Sequence, residues 1–191
     1  MSMEYDAIAQ EYAQARERTD MGLEQLIHWM DSLPVAAKIL DLGCGTGLPL
    51  TKELEDNNFR VTALDASPRL LEISSKNLSF AQLICTPVQA YDFPEQAYDA
   101  VLSWGLLFLL NRDDQTELIA NVGKTLKAEG SFLFTSPSIP CAWEDILSKQ
   151  KSVSLGRETY IRLLEAAGMY LQWESEDAGQ SHYYCAVKRD K

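Results

Sequence analysis

Apolar positions along this chain keep changing period, from three and four residues to runs of strand length and back. Tyr5, Ile8 and Tyr12, then Leu23, Leu26, Ile27 and Met30, repeat at helical spacing. Residues 4–31 therefore read as helix, broken and recapped at Thr19 and Asp20. Pro34 precedes a short apolar run, Ile39, Leu40 and Leu42, which has the length of a buried strand. Leu48, Leu50 and Leu54 open a helix that ends at Asn57-Asn58, a stop signal. A second strand follows at 59–64, then a helix over 68–79 with Ser67 as N-cap and Pro68 at its first position. Strands at 80–85 and 98–103 come next, then a helix from Asp113 or Asp114 to Leu126. A turn at 127–130 leads into a fifth strand at 131–135. Residues 136–155 show no clean period and carry Pro137 and Pro140. The last elements are a helix over 157–167 closed by Gly168, and strands at 169–173 and 181–187 around an acidic turn.

Strands that alternate with helices imply a parallel sheet covered on both faces. The final two strands are joined by a short turn and must pair antiparallel. The expected fold is α/β, a seven-stranded mostly parallel sheet with helices on both faces and an antiparallel terminal hairpin, in one domain over 1–191.

The stretch with the most chemistry is 38–47, Lys-Ile-Leu-Asp-Leu-Gly-Cys-Gly-Thr-Gly. It reads as strand, glycine turn, helix. Glycines at 43, 45 and 47 let the backbone turn sharply and let a ligand approach its N–H groups. Dinucleotide sites use G-x-G-x-x-G with a pyrophosphate on the helix N-terminus. Here the spacing is G-x-G-x-G with Asp41 two residues ahead, and a carboxylate there repels pyrophosphate but suits an ammonium or sulfonium. Asp65 falls at the tip of the next strand, where a carboxylate can accept from a ribose diol. The same place also suits a helix cap for the segment beginning at Ser67, and the two roles are compatible.

The pattern acid-x-G-x-G-x-G resembles motif I of the class I S-adenosylmethionine-dependent methyltransferases, of small-molecule type. The opening Tyr98-Asp99-Ala100-Val101 resembles that family's fourth strand, and Tyr5-Asp6-x-x-Ala9-x-x-Tyr12 its amino-terminal lid, making 1–31 a helical lid segment. The resemblance implies S-adenosyl-L-methionine as cofactor, held by Tyr12, Asp41, Gly43, Cys44, Gly45, Gly47, Asp65, Ala66, Val88, Gln89, Ser103 and Trp104. The family often has an acid after the third strand for the adenine amino group. Thr86 and Pro87 stand there instead, so Gln89 and the Val88 backbone are the substitutes. The Asn/Asp-Pro-Pro-aromatic motif that holds a planar amine is absent after the fourth strand. The apolar segment there and the aperiodic 136–155 stretch supply Trp104, Phe108 and Trp143 as candidate acceptor residues. Plain core packing under the sheet equally explains Leu107 and Leu110 in that run. His182 is the candidate general base, against a purely cross-strand role.

Net charge narrows the partners. At −11 the chain lacks the Lys and Arg excess that phosphate-rich ligands demand, so nucleic acid is not the expected partner, and the resemblance implies a small-molecule acceptor, with no membrane partner expected. Four widely spaced cysteines and two histidines give no metal-ligand spacing. The polar first residues give no signal-peptide pattern, and no apolar run is of spanning length, so a cytoplasmic protein is expected. Two other readings compete: a catalytically inactive S-adenosylmethionine-binding protein, and an NAD(P)-dependent oxidoreductase, which Asp41 and the glycine spacing disfavour.

Overall fold

The computed structural model describes residues 2–16, 20–145 and 149–190. Its centre is a seven-stranded sheet in the order β3-β2-β1-β4-β5-β9-β8. The strands are β1 (Lys38–Leu42), β2 (Arg60–Asp65), β3 (Gln82–Cys85), β4 (Tyr98–Ser103), β5 (Leu126–Thr135), β8 (Met169–Glu176) and β9 (His182–Lys188). β1 to β5 are parallel, and β9 runs antiparallel to both β5 and β8. Burial accounts for β9, the last strand, lying inside and β8 at the edge. Residues 183–187 are all buried, whereas β8 leaves Tyr170 and Glu176 exposed. A strand buried on both faces needs neighbours on both sides.

Alternate side chains of each strand enter opposite cores. Leu40, Leu42, Val101, Phe132, Phe134 and Tyr184 pack with α6 (Arg112–Thr125) and α7 (Arg157–Ala166). Ile39, Ala63, Leu102, Leu133 and Tyr183 pack with α3 (Leu23–Met30) and α4 (Leu50–Asp56). α5 (Pro68–Asn77) carries α1 (Ser2–Ala7) and α2 (Ala9–Arg16) against it.

Several local expectations are corrected. The amino-terminal helix already breaks at Ile8, Thr19 lies outside the described residues, and Gly22, at φ 85°, caps α3 in place of Asp20. α4 starts at Leu50, so its free N–H groups do not sit directly behind the glycine turn. Asn111, not Asp113 or Asp114, caps α6, its side chain accepting from Asp114 N–H at 2.9 Å. The expected turn at 127–130 is taken into β5, with a register shift against β4 and Glu129 at φ 59°. The aperiodic stretch forms a separate antiparallel pair, β6 (Cys141–Glu144) with β7 (Lys151–Ser154). Its alternating burial spans only four residues per strand, too short for a period to show.

Candidate active site

A cleft lies outside the carboxyl ends of the strands. This is where β1 separates the connections leading to β2 and β4, the position at which open α/β sheets take ligands. Its floor and one wall are Gly43, Gly45, Asp65, Ala66, Ser67, Thr86, Pro87, Val88 and Gln89. Tyr5, Tyr12, Trp104, Leu106 and Leu109 form the facing apolar wall. A smaller recess shares Tyr12, Gly43 and Trp104 with it and adds Asp41, Cys44 and Thr51.

The glycine turn is built for close approach. Gly43, Gly45 and Gly47 have φ of 77°, 58° and 77°, which L side chains rarely adopt. A Cβ on Gly45 would lie 3.1 Å from Tyr12 Cε1, and one on Gly43 would lie 3.1 Å from Leu106 Cβ. The turn's N–H groups, however, are largely spent inside the protein. Gly43 and Cys44 donate to Leu64 O at 2.8 and 2.9 Å, Gly45 to Asp65 Oδ2 at 2.9 Å, and Gly47 to Cys44 O at 2.9 Å. The turn therefore offers space more than donors, a correction to the expectation from sequence.

Two carboxylates face this turn. Asp65 is held by Gly45 N–H on one oxygen and by Ser67 N–H, at 2.8 Å, on the other. The Ala66 N–H also bonds this carboxylate, which still has lone-pair capacity for a further donor. Burial raises its pKa against the opposing pull of those backbone bonds. Ser67 is also the N-cap of α5, its hydroxyl accepting from Leu70 N–H at 3.2 Å, so cap and diol geometry coexist. Asp41 is 3 % exposed and accepts from Thr51 Oγ1 at 2.6 Å. Burial pushes its pKa up to about 7; the Thr51 bond opposes this and the Asp65 charge adds to it. Burial, with the Asp41 and Asp65 charges, also pushes the Cys44 thiol well above its ordinary range.

Of the residues singled out from sequence, Tyr12, Gly43, Gly45, Asp65, Ala66, Val88, Gln89 and Trp104 share the main cleft, and Asp41 and Cys44 the adjoining recess. Gly47 lies behind the turn, where a Cβ would meet Leu78 at 2.9 Å. Ser103 is fully buried at the end of β4. Phe108 and Trp143 pack on each other, ring centroids 5.4 Å apart, without lining the cleft. His182 also lies outside it: Nε2 is 3.2 Å from Glu174, and the ring packs 4.6 Å from Tyr184. Sequence reading missed Leu106 and Leu109 because the unbroken apolar run 104–110 does not show which residues face a cavity. It missed Ser67 and Leu70 as lining residues because their pattern is already explained by a helix start.

Residues 39–130 match the family model described as a methyltransferase domain. That match takes in 92 of the 191 residues and gives the chain a methyltransferase domain, similar to those of the S-adenosylmethionine-dependent methyltransferases. Among its relatives is YqeM of Bacillus subtilis, a methyltransferase by name, 34% identical over 118 residues that make up 58% of this chain and 47% of that protein. The demethylmenaquinone methyltransferase of Tropheryma whipplei is 29% identical, over 67% of this chain and 56% of its own length. The human EEF1A lysine methyltransferase 2 is 25% identical, over 76% and 70%. The chain thus spans about half the length of the first two relatives. In fold it resembles the Burkholderia thailandensis 1,6-didemethyltoxoflavin-N1-methyltransferase, whose structure holds 1,6-didemethyltoxoflavin and S-adenosylhomocysteine. The TM-score is 0.73 at 18% identity, with 100% of this chain and 91% of that one covered. It also resembles the methyltransferase bound to the activator Trm112 of Haloferax volcanii, with TM-score 0.81 at 16% identity and 98% of each chain covered.

Proposed function

We propose that this chain binds S-adenosylmethionine in the cleft over Gly45 and transfers its methyl group to a small, partly apolar acceptor. The observation that carries the reading is a pair of buried carboxylates at one glycine turn. Among the described residues, Asp41 forms no ion pair and has Thr51 as its donor, so a ligand ammonium in the recess would relieve a buried charge. The remaining lone-pair capacity of Asp65 suits a ribose diol. Thr86, Pro87, Val88 and Gln89 border the space next to Asp65 that a purine ring would take. The residues present therefore fit the family's cofactor. Gly43, Cys44 and Gly45 would leave room for its amino-acid end and Tyr12 and Trp104 would cover it, while Gly47 shapes the turn and Ser103 ends β4 so that Trp104 enters the cleft.

When bound, the sulfonium supplies a methyl carbon already open to displacement. The chain then has to align an acceptor with that carbon and exclude water. Tyr12 closes one side, and Trp104, Leu106 and Leu109 give the acceptor an apolar wall. In this reading, Phe108 and Trp143 shape the wall from behind. His182, paired with Glu174, acts as a base only if the acceptor reaches past Trp104.

The small acceptor is favoured by the aromatic lining and by the net charge of −11, which disfavours nucleic acid. A quinone precursor and a protein lysine stand among the relatives' names, so the acceptor's class is the main point to test. Four free cysteines agree with action in the cytoplasm. A binding protein without turnover is the second reading, favoured by Pro87 where an acid is usual. Calorimetry with S-adenosylmethionine, S-adenosylhomocysteine and NAD, followed by single-turnover assays against pooled metabolites and against elongation factor, separates these. Cofactor binding with no acceptor in any pool supports the second reading. NAD binding alone would overturn both.

A further inference from the structure

Asp6 sits on α1, away from the glycine turn, yet its carboxylate meets the first residues of α5. Ser67 Oγ donates to Asp6 Oδ1 at 2.7 Å, and Arg69 N–H donates to the same oxygen at 3.0 Å. Arg69 Nη1 donates to Asp6 O at 3.2 Å, and its Nε lies 3.5 Å from Asp6 Oδ2. Ser67 is at the same time a donor to Asp65, through its backbone N–H. The other oxygen of Asp65 holds Gly45 N–H, and the ring of Tyr12 rests on Gly45. Tyr12 belongs to α2, next along the chain from Asp6, and packs edge-on against Tyr5 at 5.7 Å. The contacts Asp6–Ser67–Asp65–Gly45–Tyr12 thus form a closed ring. It starts and ends on the same amino-terminal helix pair.

We propose that Asp6 is a positioning residue that makes closure of the amino-terminal helices and orientation of the Asp65 carboxylate a single event. When the helices dock, Ser67 is fixed by its hydroxyl, and its N–H then fixes one oxygen of Asp65. When they lift, Ser67 loses the Asp6 bonds while Tyr12 leaves Gly45, so the diol-binding carboxylate loosens as the cleft opens. A ligand that needs both Asp65 and the aromatic cover binds the docked state better, and by linkage holds the helices down. The proposal rests on the cofactor reading above.

Two measurements on the full chain test it: hydrogen exchange of segment 5–14 without ligand, and S-adenosylhomocysteine affinity by calorimetry. Asp6→Ala should speed exchange in 5–14 while leaving the β1 and β4 amides protected, and should weaken binding about tenfold. Asp6→Asn keeps a carbonyl oxygen for Ser67 and Arg69 N–H, and should restore both to near wild type. Unchanged exchange in Asp6→Ala would overturn the latch. Faster exchange with wild-type affinity would overturn the coupling. If the wild type binds no S-adenosylhomocysteine, the cofactor reading fails and the coupling with it, while the exchange contrast still reports the docking contact.

Discussion

Thr51 Oγ1 donates to Asp41 Oδ2 at 2.6 Å, joining the tip of β1 to the first turn of α4 beneath the glycine turn. One hydroxyl is a small return for a carboxylate that is 3 % exposed. A single neutral hydrogen bond is worth about 1 kcal/mol net, and desolvating a charge costs more. The folded protein therefore prefers Asp41 protonated over a wide range, its pKa standing at about 7 against an ordinary 3.8. Between those values the folded state binds more protons at this site than the unfolded state. Stability of the ligand-free protein should fall as pH rises from 4 to 7, by up to roughly 4 kcal/mol. Asp41→Asn should remove that slope, so its melting temperature should exceed wild type at pH 8 and converge with it near pH 4. Thermal melts across pH check this.

The same group predicts a proton released on ligand binding. An ammonium in the recess favours the ionised carboxylate and lowers its pKa. Affinity for S-adenosylhomocysteine should therefore rise with pH up to about 7 and level off above, and Asp41→Asn should be weak and flat. Calorimetry at pH 6 in buffers of different ionisation enthalpy reads the proton directly. A pH-independent affinity would place the ammonium elsewhere.

Asp65→Ala should cost ligand affinity and fold stability together. The carboxylate serves any diol and also holds Gly45 N–H and Ser67 N–H. Leaving those donors unpaired should lower stability by about 1–3 kcal/mol, with a similar loss in binding. Asp65→Asn, which keeps one acceptor, should recover more of the stability than of the affinity. Paired melts and titrations test the split.

How far the sequence carried these conclusions differs by element. Ile39, Leu40 and Leu42 made β1 legible because a strand buried on both faces shows a nearly continuous apolar run, broken here only by Asp41. Asp41 and Asp65 were legible because acids at strand ends are rare unless they bind or cap. The order of the last two strands was not, because antiparallel pairing follows from a short turn but adjacency to β5 depends on which strand can bear burial on both faces. The β6–β7 hairpin was hidden by its short strands. The occupation of the turn's N–H groups by Leu64 O and Asp65 was also hidden, since no local pattern records a bond made across the sheet. Phe108 and Trp143 were read as acceptor residues, and their packing on each other outside the cleft was not legible, because aromatic character alone cannot say which ring faces the cavity.

Trp104 and Trp143 should separate in kinetics. Trp104 borders both the cleft and the recess, while Trp143 reaches the cleft only through Phe108 and the segment carrying Leu109. With an acceptor in hand, Trp104→Ala should lower kcat and weaken cofactor binding. Trp143→Ala should act mainly on acceptor KM, within about tenfold. Equal effects from both would mean that the acceptor wall extends to the hairpin.

Behind that wall lies a buried polar network centred on Gln115 and Tyr160, both fully buried. Gln115 Nε2 donates to Leu110 O at 2.9 Å and Val153 O at 2.8 Å, and its Oε1 accepts from Tyr160 at 2.9 Å. The Tyr160 hydroxyl lies 2.7 Å from Ser136 Oγ and accepts from Leu155 N–H at 3.1 Å. One amide and one phenol thus tie the segment after β4, the end of β5, α7 and the β6–β7 hairpin to each other. Gln115→Leu removes the amide but leaves two carbonyls and the phenol in a dry interior, where unpaired groups cost more than a bond is worth. It should destabilise the fold by about 2–4 kcal/mol. Tyr160→Phe should cost about 1–3 kcal/mol, since it strands Gln115 Oε1 and Leu155 N–H. The double variant should cost less than the sum, because the Gln115–Tyr160 bond is counted in each single change. S-adenosylhomocysteine affinity should stay near wild type in all three, as neither side chain borders the cleft. Urea unfolding with parallel titration tests this. Strict additivity would show that the two side chains act independently, and a loss of ligand binding that outpaces the loss of stability would show that the network acts on the cleft as well as on the packing behind it.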